Sequence, residues 1–257
     1  MTKQGKKPRK TKEGKTAQNQ EVRLNKYIAG SGLCSRREAD EYIQAGLITV
    51  NGKVITRLGT KVLPTDTIKY AGEILKNEKK VYILMNKPKD YITTLEDPHA
   101  RNKVIDIIGK KCPERVYPVG RLDRNTTGVL LLTNDGEVTR KLTHPSFNKK
   151  KIYHIFLDKN LSRSDMNQIV TGITLDDGFI KADAIHYVNE SDKSQVGLEL
   201  HSGRNRIVRR IFEHLGYRVN KLDRVYFGGL TKKGLSRGQW RYLTEKEVAL
   251  LKSGRFE

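Results

Sequence analysis

The chain has 257 residues, enough for one large domain or two smaller ones, and it contains neither an apolar run long enough to cross a membrane nor the apolar start of a secretory signal. Its two cysteines, Cys34 and Cys112, exclude a dense disulfide framework and a four-cysteine zinc site, so we expect a reducing, cytoplasmic setting. Lysines and arginines number 50 against 29 aspartates and glutamates, and this formal charge of +21, spread along the whole chain, indicates a polyanionic partner such as RNA or DNA.

Residues 1–20 are rich in lysine, glycine, glutamine and threonine and contain no aromatic residue. Such a segment cannot bury enough apolar surface to fold, so we predict a disordered basic arm. Its charge predicts a loose, salt-sensitive attraction to phosphates. A tail that only keeps the protein in solution is an equal alternative.

Residues 21–70 are predicted to form a compact unit of two helices, a hairpin and a further strand. The helices are indicated by apolar residues on one face and by a capping-box start, carried by Leu24, Tyr27, Ile28, Ser35 and Glu38. Two β-rich runs on either side of Asn51-Gly52 predict a hairpin with a tight turn. The further strand is expected near residues 68–70.

Residues 71–80 are polar and charged and are predicted to be a flexible linker. Residues 81–252 then alternate short apolar runs with turn signals and helical segments. We predict a mixed α+β domain with mostly antiparallel strands there. The runs that lead to this prediction are 81–85, 129–132, 138–142, 152–157, 196–200 and 207–215.

The sequence lacks the common cofactor and metal signatures. It contains no P-loop, no paired Cys-x-x-Cys, no His-Glu-x-x-His and no glycine-rich dinucleotide fingerprint after a strand, and its six histidines are scattered. We therefore predict a protein that needs no cofactor and no metal.

The densest local signal is the stretch from Gly120 to Gly136, in which an apolar strand follows a loop with one acid, Asp123, between Arg121 and Arg124. A neighbouring arginine favours the ionised form of a carboxylate. An ionised carboxylate can act as a nucleophile or as a base. An ordinary salt bridge within the loop is the alternative.

This stretch resembles the central motif of pseudouridine synthases, Gly-Arg-Leu-Asp followed by a hydroxyl-rich turn and Gly-x-Leu-Leu-Leu-Thr-Asn-Asp-Gly. Within that family the chain is similar to the RsuA/RluB branch, which modifies ribosomal RNA and carries an N-terminal S4 RNA-binding domain like residues 21–70. The resemblance covers residues 21–252. Further motifs of the branch match in the same order, at Lys87-Pro88, Lys151-Ile152-Tyr153, Gly203–Arg210, Leu222-x-Arg224 and Leu235–Thr244.

The resemblance implies a catalytic role for three residues, Asp123, Tyr153 and Arg209, and a substrate-binding role for Arg121. Asp123 would be the nucleophile that attacks uridine at C1′ of the ribose or at C6 of the base, and Arg209 would pair with it. Tyr153 would stack on the target base and help to remove the proton from C5, although a core aromatic in a strand is the alternative. Arg121 would fill the space left by the flipped-out base, or form a structural ion pair.

The same resemblance implies substrate-binding roles for Arg204 and Arg206. In the S4-like unit, basic side chains on the two helices and beside the hairpin are expected to contact RNA phosphates, namely Arg23 and Lys26 on the first helix, Arg36 and Arg37 on the second, and Lys53 and Arg57. A solvated face balanced by neighbouring acids is the alternative.

Two residues depart from the pattern of the branch. Asp90 stands where a glycine is usual after Lys-Pro-x, and Ile207 stands where a glutamine is common. Neither position is that of the nucleophile, so the departures bear on substrate detail more than on activity.

The sequence thus predicts a pseudouridine synthase that acts on ribosomal RNA, with the Gly-Arg-Asn-Arg motif favouring the 23S RNA. Three alternatives stay open: a synthase for 16S RNA, a synthase for transfer RNA, and a non-catalytic, ribosome-associated S4 protein. We expect a monomer, because the substrate is large and asymmetric, and no membrane partner.

Overall fold

The structure is a computed structural model that describes residues 21–99 and 101–254. The basic arm predicted at residues 1–20 lies outside the described residues. The chain divides into two compact units between Lys79 and Lys80. Within the described parts of the chain, no helix has the length and apolar character needed to cross a membrane.

The first unit is a small α/β body with the two helices, the hairpin and the further strand that the sequence predicts. A two-stranded sheet pairs β1 with β4, and a four-stranded antiparallel sheet has the order β3-β2-β5-β6. The elements are β1 (Val22–Arg23), α1 (Leu24–Gly30), α2 (Arg36–Gln44), β2 (Ile48–Val50), β3 (Lys53–Val54), β4 (Lys61–Val62), β5 (Ile68–Tyr70) and β6 (Glu73–Ile74).

Local signals account for the predicted elements of this unit. The Ser35 hydroxyl accepts a hydrogen bond from the Glu38 N–H while the Glu38 carboxylate accepts one from the Ser35 N–H, which is the predicted capping box at the start of α2. Asn51 and Gly52 adopt φ angles of 51° and 80°, as a tight turn between β2 and β3 requires. Both helices bury their apolar faces on one core, in which Ile28 is fully buried.

The stretch predicted to be a linker, residues 71–80, differs in the structure. Strand β6 pairs with β5, and the Leu75 N–H donates to the Ile68 carbonyl at 2.9 Å. The Glu78 N–H donates to the Gly30 carbonyl at 3.0 Å. These hydrogen bonds all join main-chain groups, and Ile74 is 58% exposed. The strand therefore shows no alternation of buried and exposed side chains from which the sequence could predict it.

The second unit is built on one large sheet. Its elements are β7 (Tyr82–Lys87), α3 (Val104–Ile108), β8 (Tyr117–Pro118), β9 (Thr126–Thr133), α4 (Gly136–Thr143), β10 (Lys151–Leu157), α5 (Arg163–Thr171), β11 (Ile173–Leu175), β12 (Gly178–Ile180), β13 (Ala184–Tyr187), β14 (Gln195–Leu200), α6 (Ile207–His214), β15 (Val219–Phe227), β16 (Leu230–Thr231), β17 (Trp240–Tyr242) and α7 (Glu245–Ser253).

Seven strands form the main path of this sheet, in the order β13-β14-β10-β15-β9-β7-β17, with β8 beside β9 and β16 beside β15. Each pairing along the path is antiparallel except that of β15 with β9, which is parallel. The predicted α+β fold with mostly antiparallel strands is therefore confirmed. Strands β11 and β12 form a separate hairpin around a turn at residues 176–178.

Strand β9 is covered on both faces, which explains its unbroken apolar run. Val129 and Leu131 point into one core and Leu130 and Leu132 into another, as the alternation of a strand requires. A third core lies under β10 and β14, where it packs against α6. The three cores hold the sheet rigid on both sides of the loop that precedes β9.

The parallel pair brings the main chains of β9 and β15 unusually close. Gly128 has φ +108°, and a Cβ placed there would lie 2.1 Å from the carbonyl oxygen of Arg224. A residue with a side chain cannot occupy this position without moving one of the strands. The approach fixes the start of β9, and with it the loop that carries Asp123, against β15.

Candidate active site

A cavity of about 480 Å³ opens beside the loop that precedes β9. Its volume lies within the range of small-molecule sites. The loop, β10, the segment that precedes α6 and part of β15 form its walls. The cavity brings together all six residues that the sequence marks in this unit, which are Arg121, Asp123, Tyr153, Arg204, Arg206 and Arg209.

The carboxylate of Asp123 lies between two guanidinium groups at the cavity. Its side chain is 39% exposed, and its Oδ2 atom is 3.8 Å from Nη1 of Arg206 and 3.9 Å from Nε of Arg209. Arg209 is the predicted partner. Arg206, which the resemblance assigns to substrate binding, contributes a second positive charge beside the same carboxylate oxygen.

The start of α6 positions both arginines. Arg206 precedes the helix with a left-handed φ of 47°, so its side chain turns back toward the loop. Arg209 lies in the first turn, where its Nη1 donates to the Val219 carbonyl at 2.8 Å. Ile207, the residue that stands where glutamine is common, is 5% exposed and packs with Val208 in the core under the helix. That apolar contact anchors the helix below the cavity.

Lys87 holds the loop of Asp123 from below. It is fully buried, and its Nζ donates to the carbonyl oxygens of Asp123 at 3.2 Å, Arg124 at 3.1 Å and Thr126 at 2.8 Å, and to that of Pro88 at 3.1 Å. Burial lowers the pKa of Lys87 to about 8, and the nearby carboxylate of Asp123 opposes this fall. The sequence points to Lys87 only through a motif match, because its role depends on a loop 36 residues away.

Asp90 closes the other side of the loop. It adopts a left-handed φ of 69°, which explains why glycine is usual there, and aspartate is one of the few residues that tolerate this conformation. Its N–H donates to the Arg124 carbonyl at 2.9 Å, and its carboxylate accepts from Arg124 Nε at 3.2 Å. The substitution therefore preserves the shape of the loop and adds an exposed ion pair.

Tyr153 lies on β10, 8% exposed, with Arg224 as its cross-strand neighbour on β15. Burial raises the pKa of Tyr153, and the charge of Arg224 opposes that rise. Arg224 is itself only 3% exposed. The sequence points to Arg224 only through the motif Leu222-x-Arg224 and implies no role for it.

Arg204 is held by the β11–β12 hairpin. Its Nε donates to the Asp177 carboxylate at 2.9 Å, Nη1 to the Phe179 carbonyl at 3.0 Å, and Nη2 to the Gly178 carbonyl at 3.1 Å. Arg210 binds the same Asp177. The Arg204 guanidinium is thus bound by the protein itself, and the substrate contact that the resemblance implies stays a prediction.

Arg121 is exposed at the cavity and forms no ion pair or hydrogen bond with any described residue. The structural ion pair, which is the alternative to its role in base flipping, is therefore not present in residues 21–99 and 101–254. Its guanidinium is available to a ligand in the cavity.

In the first unit, the predicted RNA-binding residues lie on the surface. Lys26 is half-buried, and the exposed residues are Arg23, Arg36, Arg37, Lys53 and Arg57. Arg23 is on strand β1, just before α1, and not on the first helix as the sequence suggests, because its N–H and C=O pair with β4.

The chain is similar to known proteins along most of its length. Residues 81–214 match the family model for RNA pseudouridylate synthase, and residues 22–68 match the S4 domain. A ribosomal large subunit pseudouridine synthase B of Bacillus subtilis is 41% identical over 234 residues, which cover 90% of this chain and 96% of that protein. An RNA pseudouridine synthase of Aquifex aeolicus is 39% identical, with 90% of this chain and 94% of that protein covered.

A further relative and a solved structure are also similar to this chain. The dual-specificity RNA pseudouridine synthase RluF of Escherichia coli is 35% identical over 230 residues, 88% of this chain and 77% of that protein. A crystal structure of a pseudouridylate synthase superposes with a TM-score of 0.65 at 26% identity and covers 90% of this chain and 99% of its own. With the family model over more than half of the chain and relatives that match nearly its whole length, the chain belongs to the RNA pseudouridine synthases of the RsuA family and is an enzyme that isomerises uridine in RNA.

Proposed function

We propose that the protein converts one specific uridine of 23S ribosomal RNA to pseudouridine, with Asp123 as the nucleophile. The observation that carries this proposal is the half-exposed carboxylate of Asp123, which faces a cavity of nucleotide size between the guanidinium groups of Arg206 and Arg209. An unprotonated carboxylate is the form that attacks carbon. The two guanidinium groups place positive charge beside the oxygen Oδ2 of Asp123.

The reaction balances within the RNA itself. Asp123 forms a bond to C1′ of the ribose or to C6 of the base, and these two routes stay open. The bond from N1 to C1′ breaks and its electron pair goes to the uracil ring. The ring turns in the cavity, a bond forms between C5 and C1′, the bond to Asp123 breaks, C5 loses its proton, and N1 gains one.

Tyr153 is assigned to stacking on the target base. It is nearly buried at the cavity wall, so a base that enters the cavity meets its ring. Burial raises the pKa of Tyr153, which keeps the phenol protonated at neutral pH. This favours stacking over the alternative role, removal of the C5 proton.

Arg121 is assigned to the RNA helix from which the target uridine leaves. Extrusion of a base from its stack costs a few kcal/mol, and a planar guanidinium that stacks in the vacated space offsets part of this cost. The exposure of Arg121 beside the nucleophile, without a protein partner among the described residues, supports this role.

The assignment to 23S RNA rests on the relatives. One is named for the large ribosomal subunit, whereas another is named as having dual specificity. The S4 unit, with its exposed basic side chains, is assigned to RNA phosphates and backbone shape. A monomer suffices for this function, because the residues that carry the chemistry come from one chain.

The experiment uses the purified full chain and three RNAs made without modifications: 23S RNA, 16S RNA and a set of transfer RNAs. We expect pseudouridine in 23S RNA alone, and pseudouridine mapping in total RNA from a deletion strain should lose the same position. Conversion of 16S or transfer RNA would reassign the substrate. Failure with all RNAs, together with an unchanged map in the deletion strain, would favour a non-catalytic RNA-binding protein.

A further inference from the structure

Arg224 carries a buried positive charge that no described carboxylate neutralises. It is 3% exposed and lies at the wall of the cavity that holds Asp123 and Tyr153. Its Nε donates to the Val129 carbonyl at 2.9 Å, but Nη2 is buried and has no hydrogen-bond partner among the described residues. Buried polar groups without a hydrogen-bond partner are rare, and the free-energy cost of burying them is larger when the group is charged. The buried Nη2 of Arg224 therefore requires an explanation.

The adjacent acid, Asp223, does not neutralise the positive charge of Arg224. Asp223 precedes Arg224 on β15 and therefore points to the opposite face of the sheet. There its carboxylate accepts hydrogen bonds from Arg237 at 2.8 and 3.0 Å and pairs with Lys232. The acid is fully engaged with two other cations.

Two features fix the guanidinium in place without neutralising it. Its central carbon lies 4.3 Å from the centroid of the Phe227 ring, a cation–π contact. The main chain of Arg224 pairs with Gly128 on one side and with Tyr153 on the other, and a register shift next to this pair leaves Val225 of β15 as the extra residue. Such irregularities re-aim side chains next to active sites.

The cavity wall therefore has a fixed cation beside Tyr153, in the same cavity as the carboxylate of Asp123. An arginine keeps its proton in proteins, so this charge persists even though burial lowers its pKa. Preorganised charge of this kind is useful where negative charge develops during a reaction. In pseudouridine formation such charge develops on the uracil ring when N1 leaves C1′.

We propose that Arg224 stabilises the uracil anion formed when the N1–C1′ bond breaks. The electron pair of that bond spreads from N1 to the two carbonyl oxygens of the ring. The buried positive charge of Arg224, at the cavity wall, stabilises this negative charge through space. This inference rests on the proposed function, since it assigns a role within the same reaction.

The test compares Arg224→Met, which keeps the size of the side chain but removes its charge, with Arg224→Lys, which keeps a charge. Lys221→Met is the matched control, because Lys221 is exposed on the same strand and lies over Phe156. Single-turnover rates at saturating enzyme should fall more than about a hundredfold in Arg224→Met, in line with the loss of one preorganised donor. Arg224→Lys should recover at least about tenfold of this loss, and Lys221→Met should react at the wild-type rate.

A second substrate separates electrostatic stabilisation from a structural role. The second substrate is RNA with 5-fluorouridine at the target position. The 5-fluorouracil anion is more stable than the uracil anion, so cleavage of its N1–C1′ bond depends less on electrostatic stabilisation by the protein. The deficit of Arg224→Met, measured as the rate at which the 5-fluorouridine is consumed, should shrink at least about tenfold with this RNA. An equal deficit with both RNAs, or equal losses in Arg224→Met and Arg224→Lys, would overturn the proposal.

Folding and the proposed function are controlled separately. If Arg224→Met does not fold by circular dichroism, the comparison of Arg224→Lys with Arg224→Gln on the two RNAs takes its place with the same criteria. Asp123→Asn is measured beside them. An inactive Asp123→Asn with an unimpaired Arg224→Met would reject this inference alone, whereas an active Asp123→Asn would reject the proposed mechanism.

Discussion

The ammonium group of Lys87 and the carbonyl oxygen of Asp123 lie 3.2 Å apart, while the carboxylate of Asp123 faces the cavity. Asp123, the proposed nucleophile, is thus held by its main chain from the buried side, and its carboxylate is exposed to the cavity on the other. Because three of the four carbonyl acceptors of Lys87 lie in this loop, at Asp123, Arg124 and Thr126, one side chain determines the path of the loop.

Replacing Lys87 by methionine should therefore disorder the loop. The substitution leaves up to four carbonyl groups without their donor, and the free energy of unfolding should fall by about 2–4 kcal/mol at neutral pH. The turnover rate should fall more than RNA affinity, because the nucleophile is misplaced while the phosphate contacts remain. Urea unfolding and single-turnover kinetics measure the two effects, with the exposed neighbour in Lys89→Met as the control. Equal behaviour of the two variants would contradict the role given to Lys87.

The pH dependence of stability tests the burial of Lys87 directly. Its pKa is lowered from the usual 10.5 to about 8, so between these values the unfolded chain binds a proton that the folded chain has released. The cost of burying the charge is complete below pH 8 and is relieved as the pH rises to 10.5. The free energy of unfolding of the wild type, relative to that of Lys87→Met, should therefore rise over this interval by up to about 3 kcal/mol. A difference that stays constant from pH 7 to pH 10.5 would show that Lys87 is not desolvated.

The contacts of Arg204 predict a structural effect. Arg204→Met removes the hydrogen bonds to Asp177, Gly178 and Phe179, so the free energy of unfolding should fall by about 1–3 kcal/mol. RNA affinity and its salt dependence should change little. Arg121→Met should do the reverse, with stability within about 0.5 kcal/mol of the wild type and a slower reaction. If Arg204→Met instead weakens RNA binding more than tenfold at unchanged stability, Arg204 contacts the RNA as the resemblance implies.

Two glycines with the same backbone conformation test the close approach of β9 and β15. Gly128 and Gly178 both have φ +108°, but a Cβ at Gly128 would meet the Arg224 carbonyl whereas nothing lies within 4 Å of one at Gly178. Gly178→Ala should cost only the backbone strain, about 1–2 kcal/mol. Gly128→Ala should cost about 1–3 kcal/mol more, because the two strands must separate. Equal losses in thermal or urea unfolding would mean that the strands tolerate a side chain between them.

The elements that the sequence predicts correctly are those with a local signal. The capping box at Ser35 and the Asn51-Gly52 turn are predicted from neighbouring residues, and the structure contains both. Strand β15 was not predicted, although it lies at the centre of the sheet. Its buried Asp223 and Arg224 interrupt the apolar alternation, and they are stable there only because distant side chains and an aromatic ring surround them.

In the candidate site, too, the sequence predicts the residues that lie in family motifs and not those whose roles depend on distant contacts. Asp123, Tyr153 and Arg209 lie in motifs that the family shares, and the structure brings all three to one cavity. The role of Lys87 and the engagement of Arg204 depend on residues far away in the chain, so no local pattern reveals them. Long-range hydrogen bonds of this kind become visible only in the folded chain.

The account depends most on the carboxylate of Asp123 as the group that bonds to the target uridine. Release of tritium from RNA labelled at C5 of uridine, measured in a single turnover with Asp123→Asn, tests this claim directly, and Asp192→Asn, a change of the same type in a loop outside the cavity, is the control. We predict that Asp123→Asn releases tritium more than about a thousandfold more slowly than the wild type, with RNA affinity within about threefold, while Asp192→Asn reacts normally. Tritium release by Asp123→Asn at the wild-type rate would contradict the account.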